Sequence, residues 1–89
     1  MTYAVLLHPR AAKELNKLEP SIRVRIVKRA KELHDNPAGL GKSLSQSDFW
    51  SLRLGDYRVI YQIDQNRRQV LILFVGHRSK VYDDFSKML

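Results

Sequence analysis

Two arginines, Arg53 and Arg58, lie in the stretch WSLRLGDYRVIYQI, residues 50–63, which reads as two strands joined at Gly55-Asp56. A two-residue turn fixes the register. It sets Leu54 opposite Tyr57, Arg53 opposite Arg58, Leu52 opposite Val59 and Trp50 opposite Tyr61. Like charges directly across a strand pair are destabilising. Side chains alternate between faces, so Arg53 and Arg58 share one face with Phe49, Ser51, Ile60 and Gln62. A third arginine, Arg78, follows the apolar run QVLILFVG, residues 69–76. If that run pairs with 57–64, Arg78 reaches the same end of the sheet as Arg58, with His77, Lys80 and Tyr82 beside it. Three converging guanidiniums repel one another unless an anion sits among them, and their forks match phosphate oxygens. One reading is a phosphate site on a nucleic-acid backbone. The other is that the arginines face water, or pair with Asp56, Asp64 or an acidic partner. The residues alone leave both open.

The elements that must position these side chains follow from spacing. TYAVLLH is a short first strand. HPRAAKELNKLEP reads as a helix, with Pro9 in its first turn and Ala11, Leu15 and Leu18 on one face. Pro20 opens a second helix that runs to Pro37, with Ile22, Ile26, Ala30 and Leu33 as its stripe and Val27 beside it. AGLGKSLSQSD is a polar loop. The hairpin 49–64 follows, then the run 69–76, whose two apolar faces suit a central, covered strand. RSKVYDDFSKML closes the chain as a helix, with Val81, Phe85, Met88 and Leu89 on one face. The predicted order is β-α-α-β-β-β-α: an α+β domain with an N-terminal strand, a helical hairpin, a twisted, mainly antiparallel sheet and a C-terminal helix.

Eighty-nine residues make one domain, 1–89, with a modest core. A hydrophobic share of 44% and a charged share of 28% are those of a globular protein. Cysteine is absent, which rules out disulfides and thiolate metal sites. No apolar run is long enough for a membrane span and the N-terminus lacks a signal pattern, so the expected location is cytoplasmic, away from membranes. Sixteen Lys+Arg against nine Asp+Glu give +7, a balance that favours a polyanionic partner.

Other signals carry less. His8, His34 and His77 fall in three elements without ligand spacing or a carboxylate cluster, so no metal or cofactor is expected. A His8/His77 acid–base pair is a minor alternative, open if strand 1 lies near 69–76. NPAGLGKS resembles a P-loop, but it leaves a helix instead of a strand and is rejected. The cations Arg23, Arg25, Lys28, Arg29 and Lys31 read first as a solvated helix face. Trp50 belongs to the core face. Phe49, on the open face, is the better candidate for stacking on a base.

The stretches FWSLRLGDYRVIYQID and ILFVGHRSKVYDDF, after a helical hairpin in a basic chain of this length, resemble the RelE/ParE toxin superfamily, most closely its RelE branch. The resemblance implies the toxin of a type II toxin–antitoxin pair. Such a toxin is a metal-independent, ribosome-dependent endoribonuclease that cuts mRNA in the decoding site and contacts 16S rRNA. A short, acidic, partly disordered antitoxin would neutralise it and join it in binding operator DNA. Carried over, Arg58, Arg78 and Tyr82 are the catalytic positions and Arg53 is the basic residue of the first hairpin strand. Ser51 stands where a second basic residue is often found, and the segment from Gly76 to Tyr82 is shorter than in the best-known members. Cleavage without metal uses the neighbouring 2′-OH as nucleophile and needs cations for the phosphorane charge. Arg58 and Arg78 are expected to supply that charge and Arg53 to position substrate. Tyr82 would act as base or stacking platform, with His77 as the alternative proton carrier. Lys42, His77, Lys80 and Phe49 complete the expected RNA surface. Val81, Phe85, Met88 and Leu89 either cover the sheet or receive an antitoxin helix. The alternatives are a ParE-like poison of DNA gyrase without nuclease activity, or a non-toxic nucleic-acid or protein-binding module.

Overall fold

Pro9 and Pro20 each open a helix, as a fixed φ and a missing N–H allow at a first helical position. The structure, a computed structural model, describes residues 2–44 and 47–88. β1 (Ala4–Leu7) leads into α1 (Pro9–Asn16), where the His8 ring accepts from the Arg10 amide at 3.1 Å and caps the first turn. α2 (Pro20–Lys31) ends on Lys28, Arg29 and Lys31, cations that complement the negative end of the helix dipole. The second helix is shorter than its apolar spacing predicts. From Glu32 to His34 the chain tightens into a 3-10 turn, and a one-turn helix, α3 (Pro37–Leu40), follows with the Asn36 side chain accepting from the Gly39 amide. Leu33 keeps its place in the stripe through this change and is fully buried.

The segment expected as a loop also contains a strand. β2 (Lys42–Ser43) pairs with β3 (Phe49–Leu54), Lys42 beside Ser51 and Ser43 beside Trp50. β3, β4 (Tyr57–Asp64) and β5 (Gln69–His77) form an antiparallel meander, and α4 (Arg78–Met88) begins directly after β5. β1 runs parallel to β5, giving the sheet order β1-β5-β4-β3-β2. The expected α+β architecture is therefore present. None of the described helices is long and apolar enough to cross a membrane.

Both faces of the sheet are covered, unequally. α1 and α2 bury one face over Leu52, Val59, Tyr61, Val70, Ile72 and Val75, meeting them with Ala11, Leu15, Ile26, Ala30 and Leu33. α4 lies on the opposite face, where Val81 and Phe85 cover Ile60, Leu73 and Phe74. A register shift after Ile60 pairs Ile60 with Phe74 but Tyr61 with Ile72. This bulge turns both Leu73 and Phe74 towards α4.

Tyr61 ties the irregular segment to the sheet. It is fully buried, and its hydroxyl donates to the Pro37 carbonyl at 2.6 Å. Burial pushes this phenol up to about 12, with a backbone hydrogen bond from Gly41 pulling the other way. A Cβ at position 41 would lie 2.0 Å from the Tyr61 hydroxyl, so the approach requires glycine.

Candidate functional site

The hairpin adopts the register its turn demands. Gly55 carries a positive φ of 57° and Asp56 does not, the pattern of a type II′ turn. Arg53 is paired with Arg58, and Arg58 in turn with Gly76 of β5. The next β4–β5 pair, Tyr57 with His77, stacks edge-on with ring centroids 5.6 Å apart. Arg78 is thereby delivered to the turn end of the hairpin. Arg58, His77, Arg78, Ser79 and Tyr82 line one open cavity of about 420 Å³.

Local partners hold both guanidiniums. Arg58 folds back and donates to the Gly55 and Tyr57 carbonyls at 2.7 and 2.8 Å. Arg78 pairs with Asp56 at 3.6 Å, and its backbone amide donates to the Asp56 carbonyl at 2.7 Å. The pairing with Asp56 that the sequence left open therefore exists, whereas Asp64 pairs with Arg67. Both Arg78 and Asp56 are well exposed, so the ion pair is worth about 0–1 kcal/mol and an arriving phosphate can displace it. No hydrogen bond or ion pair engages the Arg53 side chain among the described residues, which leaves it open to solvent beside Arg58.

His77 repeats the role of His8. Its Nδ1 accepts from the Ser79 amide at 3.1 Å and lies 2.8 Å from the Ser79 hydroxyl, capping the first turn of α4. With Nδ1 accepting, the neutral ring carries its proton on Nε2. The two histidines are not a pair: the parallel register sets Leu7 beside Ile72, and His77 stands five residues further along β5. His34 is bonded to the Tyr3 carbonyl at 2.7 Å. Among the described residues no group of three His, Cys, Asp or Glu side chains could hold a metal ion.

The remaining expected residues divide. Lys42 joins the arginine face, because β2 sets it directly beside Ser51. Tyr82 also points there, with its hydroxyl 2.9 Å from that of Ser51. Phe49 does not lie open: its ring meets Phe85 edge-on at 5.1 Å, since α4 covers that end of the face. Lys80 lines a groove on the α1 side with Glu14 and Asp84. Val81 and Phe85 are buried over the sheet, Met88 is 40% exposed, and Leu89 lies outside the described residues. Sequence reasoning passed over two residues. Ser51 is placed on the arginine face and noted for not being basic, with no role given to it, and Ser79 carries no signal, since its contact depends on where α4 begins.

Comparison with known proteins gives the family of the chain. The family model of the ParE toxin of type II toxin–antitoxin system, parDE, matches residues 5–82. Toxin RelG of Mycobacterium tuberculosis is 36% identical over 85 residues, covering 92% of this chain and 98% of its own length. The toxin–antitoxin complex RelBE2 from the same organism contains a chain that superposes with a TM-score of 0.82 at 36% identity, over 88% of this chain and all of that one. A mutant of Escherichia coli toxin RelE in the free state gives a TM-score of 0.81 at 27% identity, over all of this chain and 99% of its own. The chain belongs to the RelE/ParE superfamily, as a toxin of a type II toxin–antitoxin system.

Proposed function

We propose that this toxin is a ribosome-dependent, metal-independent endoribonuclease that cuts mRNA in the decoding site. The observation that carries the reading is the shared cavity of Arg58, Arg78 and Tyr82, in which both guanidiniums rest on partners that a phosphate can replace. In the reaction the 2′-OH attacks the adjacent phosphorus and the bond to the 5′-oxygen breaks. Arg58 and Arg78 meet the charge that builds on the phosphorane oxygens, where fixed cations act most strongly. Arg53 and Lys42 hold the flanking backbone, and Tyr82 contacts the reacting nucleotide. His77 is occupied at Nδ1 and offers the substrate an Nε2–H. Arginine is a poor acid or base because its pKa is too high, so this set is weak in proton transfer. The ribosome compensates by orienting the message, since positioning alone can remove much of a barrier.

The chain works as one domain, 1–89, in the cytoplasm. Its partners are translated mRNA, 16S rRNA and a short acidic antitoxin that lies against α4 around the exposed Met88, or takes the place of α4 over the sheet where Val81 and Phe85 pack. Operator DNA is bound only with that antitoxin. Support for an antitoxin comes from the relatives solved as toxin–antitoxin complexes. Induced expression tests the reading. Arg58→Ala and Arg78→Ala are expected to abolish growth arrest while the protein stays folded and soluble. Full toxicity in both variants would show that the cavity is not the active site. Poisoning of DNA gyrase is the second reading, favoured by the match to the ParE model and by Ser51 in place of a cation. It would give DNA-damage signalling with translation intact.

A further inference from the structure

Ser51 is 7% exposed; apart from the phenol of Tyr61, no other polar side chain among the described residues is buried so deeply. Its hydroxyl lies 2.9 Å from the Tyr82 hydroxyl and has no other hydrogen-bond partner among those residues. Geometry at the two oxygens allows either to donate. Burial decides the direction. A buried O–H without an acceptor carries the full cost of its desolvation. Tyr82 is 38% exposed and lines the cavity, so its own O–H can be satisfied there. We infer that Ser51 is a positioning residue that donates to the Tyr82 oxygen and turns the phenol O–H into the cavity of Arg58 and Arg78, where it meets substrate as a hydrogen-bond donor. The inference rests on the nuclease reading above and narrows the part that Tyr82 plays in it.

The contact acts beyond the phenol. Tyr82 stands four residues after Arg78, on the same side of α4. The Arg78 amide is tied to the Asp56 carbonyl at 2.7 Å, so the first turn of α4 is fixed to the sheet at two points. A long side chain at position 51 would occupy the place of the Tyr82 hydroxyl. Serine is short enough to let the ring lie against the strand and polar enough to hold it.

The test uses the full chain with Ser51→Ala, Ser51→Thr, Tyr82→Phe and the double variant S51A/Y82F, assayed for cleavage of message on ribosomes. Ser51→Ala is expected to lower kcat about tenfold with KM unchanged, the effect of one hydrogen bond made at the transition state. Threonine should restore most of the rate, and Ser51→Ala should cost nothing further once Tyr82 is phenylalanine. A wild-type kcat in Ser51→Ala, or an equal loss with and without the Tyr82 hydroxyl, would overturn the inference. A second readout needs no reaction. In protein labelled with 13C at the tyrosine Cζ, the Tyr82 resonance should move in Ser51→Ala and return in Ser51→Thr. An unmoved resonance would also overturn it. If the wild-type protein cleaves nothing, the nuclease reading falls, and the resonance still decides whether Ser51 holds the phenol.

Discussion

The two faces of the sheet are built from the same three strands and do opposite things. On the α1–α2 face, Leu52, Val59 and Tyr61 are almost completely buried against Leu33 and Ile26. On the other face, α4 starts at the hairpin turn with Arg78 and covers Ile60 and Phe74 further along, while Arg53 and Arg58 stand beside its first turn. Successive residues of one hairpin thus serve packing and charge in alternation. A small domain can hold like charges close together because its stability comes from the opposite side of the same strands.

Substitutions on the two faces should therefore separate stability from activity. Leu52→Ala, which empties space in the fully buried layer, is expected to cost about 2–5 kcal/mol in a denaturant titration. Arg58→Ala, two strand positions beyond Tyr57's turn-side neighbour Asp56, should change stability by no more than about 0.5 kcal/mol. Its cleavage rate should nevertheless fall by a factor on the order of 100–1,000, the effect of losing one fixed donor at an oxyanion. If Arg58→Ala unfolds the protein, the division between the faces is wrong. Gly41→Ala forces a methyl to within 2.0 Å of the Tyr61 hydroxyl, and overpacking of this kind costs about 1–3 kcal/mol.

Tyr61 also sets a pH response belonging to the packed face alone. Its folded value of about 12 lies above the ordinary 10, so its contribution to stability is complete below pH 10 and is lost as pH rises towards 12. Unfolding midpoints measured across that window should drop in the wild type and drop less in Tyr61→Phe. The smallest effect belongs to Asp56→Asn. Removing the exposed partner of Arg78 should leave stability within about 0.5 kcal/mol and modestly raise affinity for ribosome-bound message. A large loss of stability there would mean that Asp56 is structural.

What the sequence made legible was whatever local rules fix. A two-residue turn dictates the β3–β4 register, so the Arg53–Arg58 pair and the core face from Trp50 to Tyr61 could be read directly. The doubly apolar run before Arg78 identified β5 as an interior strand. Less legible were features decided by tertiary contact. Helical periodicity continues smoothly through Leu33, so the change to a 3-10 turn leaves no mark. β2 is two residues long and exists only through its pairing with β3. The stripe of Val81 and Phe85 showed that α4 needs cover, not which face of the sheet supplies it. Alternation alone therefore leaves Phe49 on an open face, whereas Phe85 of α4 covers it. Alternation puts Ser51 on the arginine face, but its contact with Tyr82 follows from no local rule, since the two belong to a strand and a helix 31 residues apart.

The central claim is that the cavity at the hairpin end acts on translated message. The direct measurement is cell-free translation with the protein added, mapping mRNA 5′ ends by primer extension with ribosomes engaged and with ribosomes held off the message. Cuts phased with codons, present only on translated mRNA, are the expected result. Intact mRNA with translation proceeding normally would contradict it.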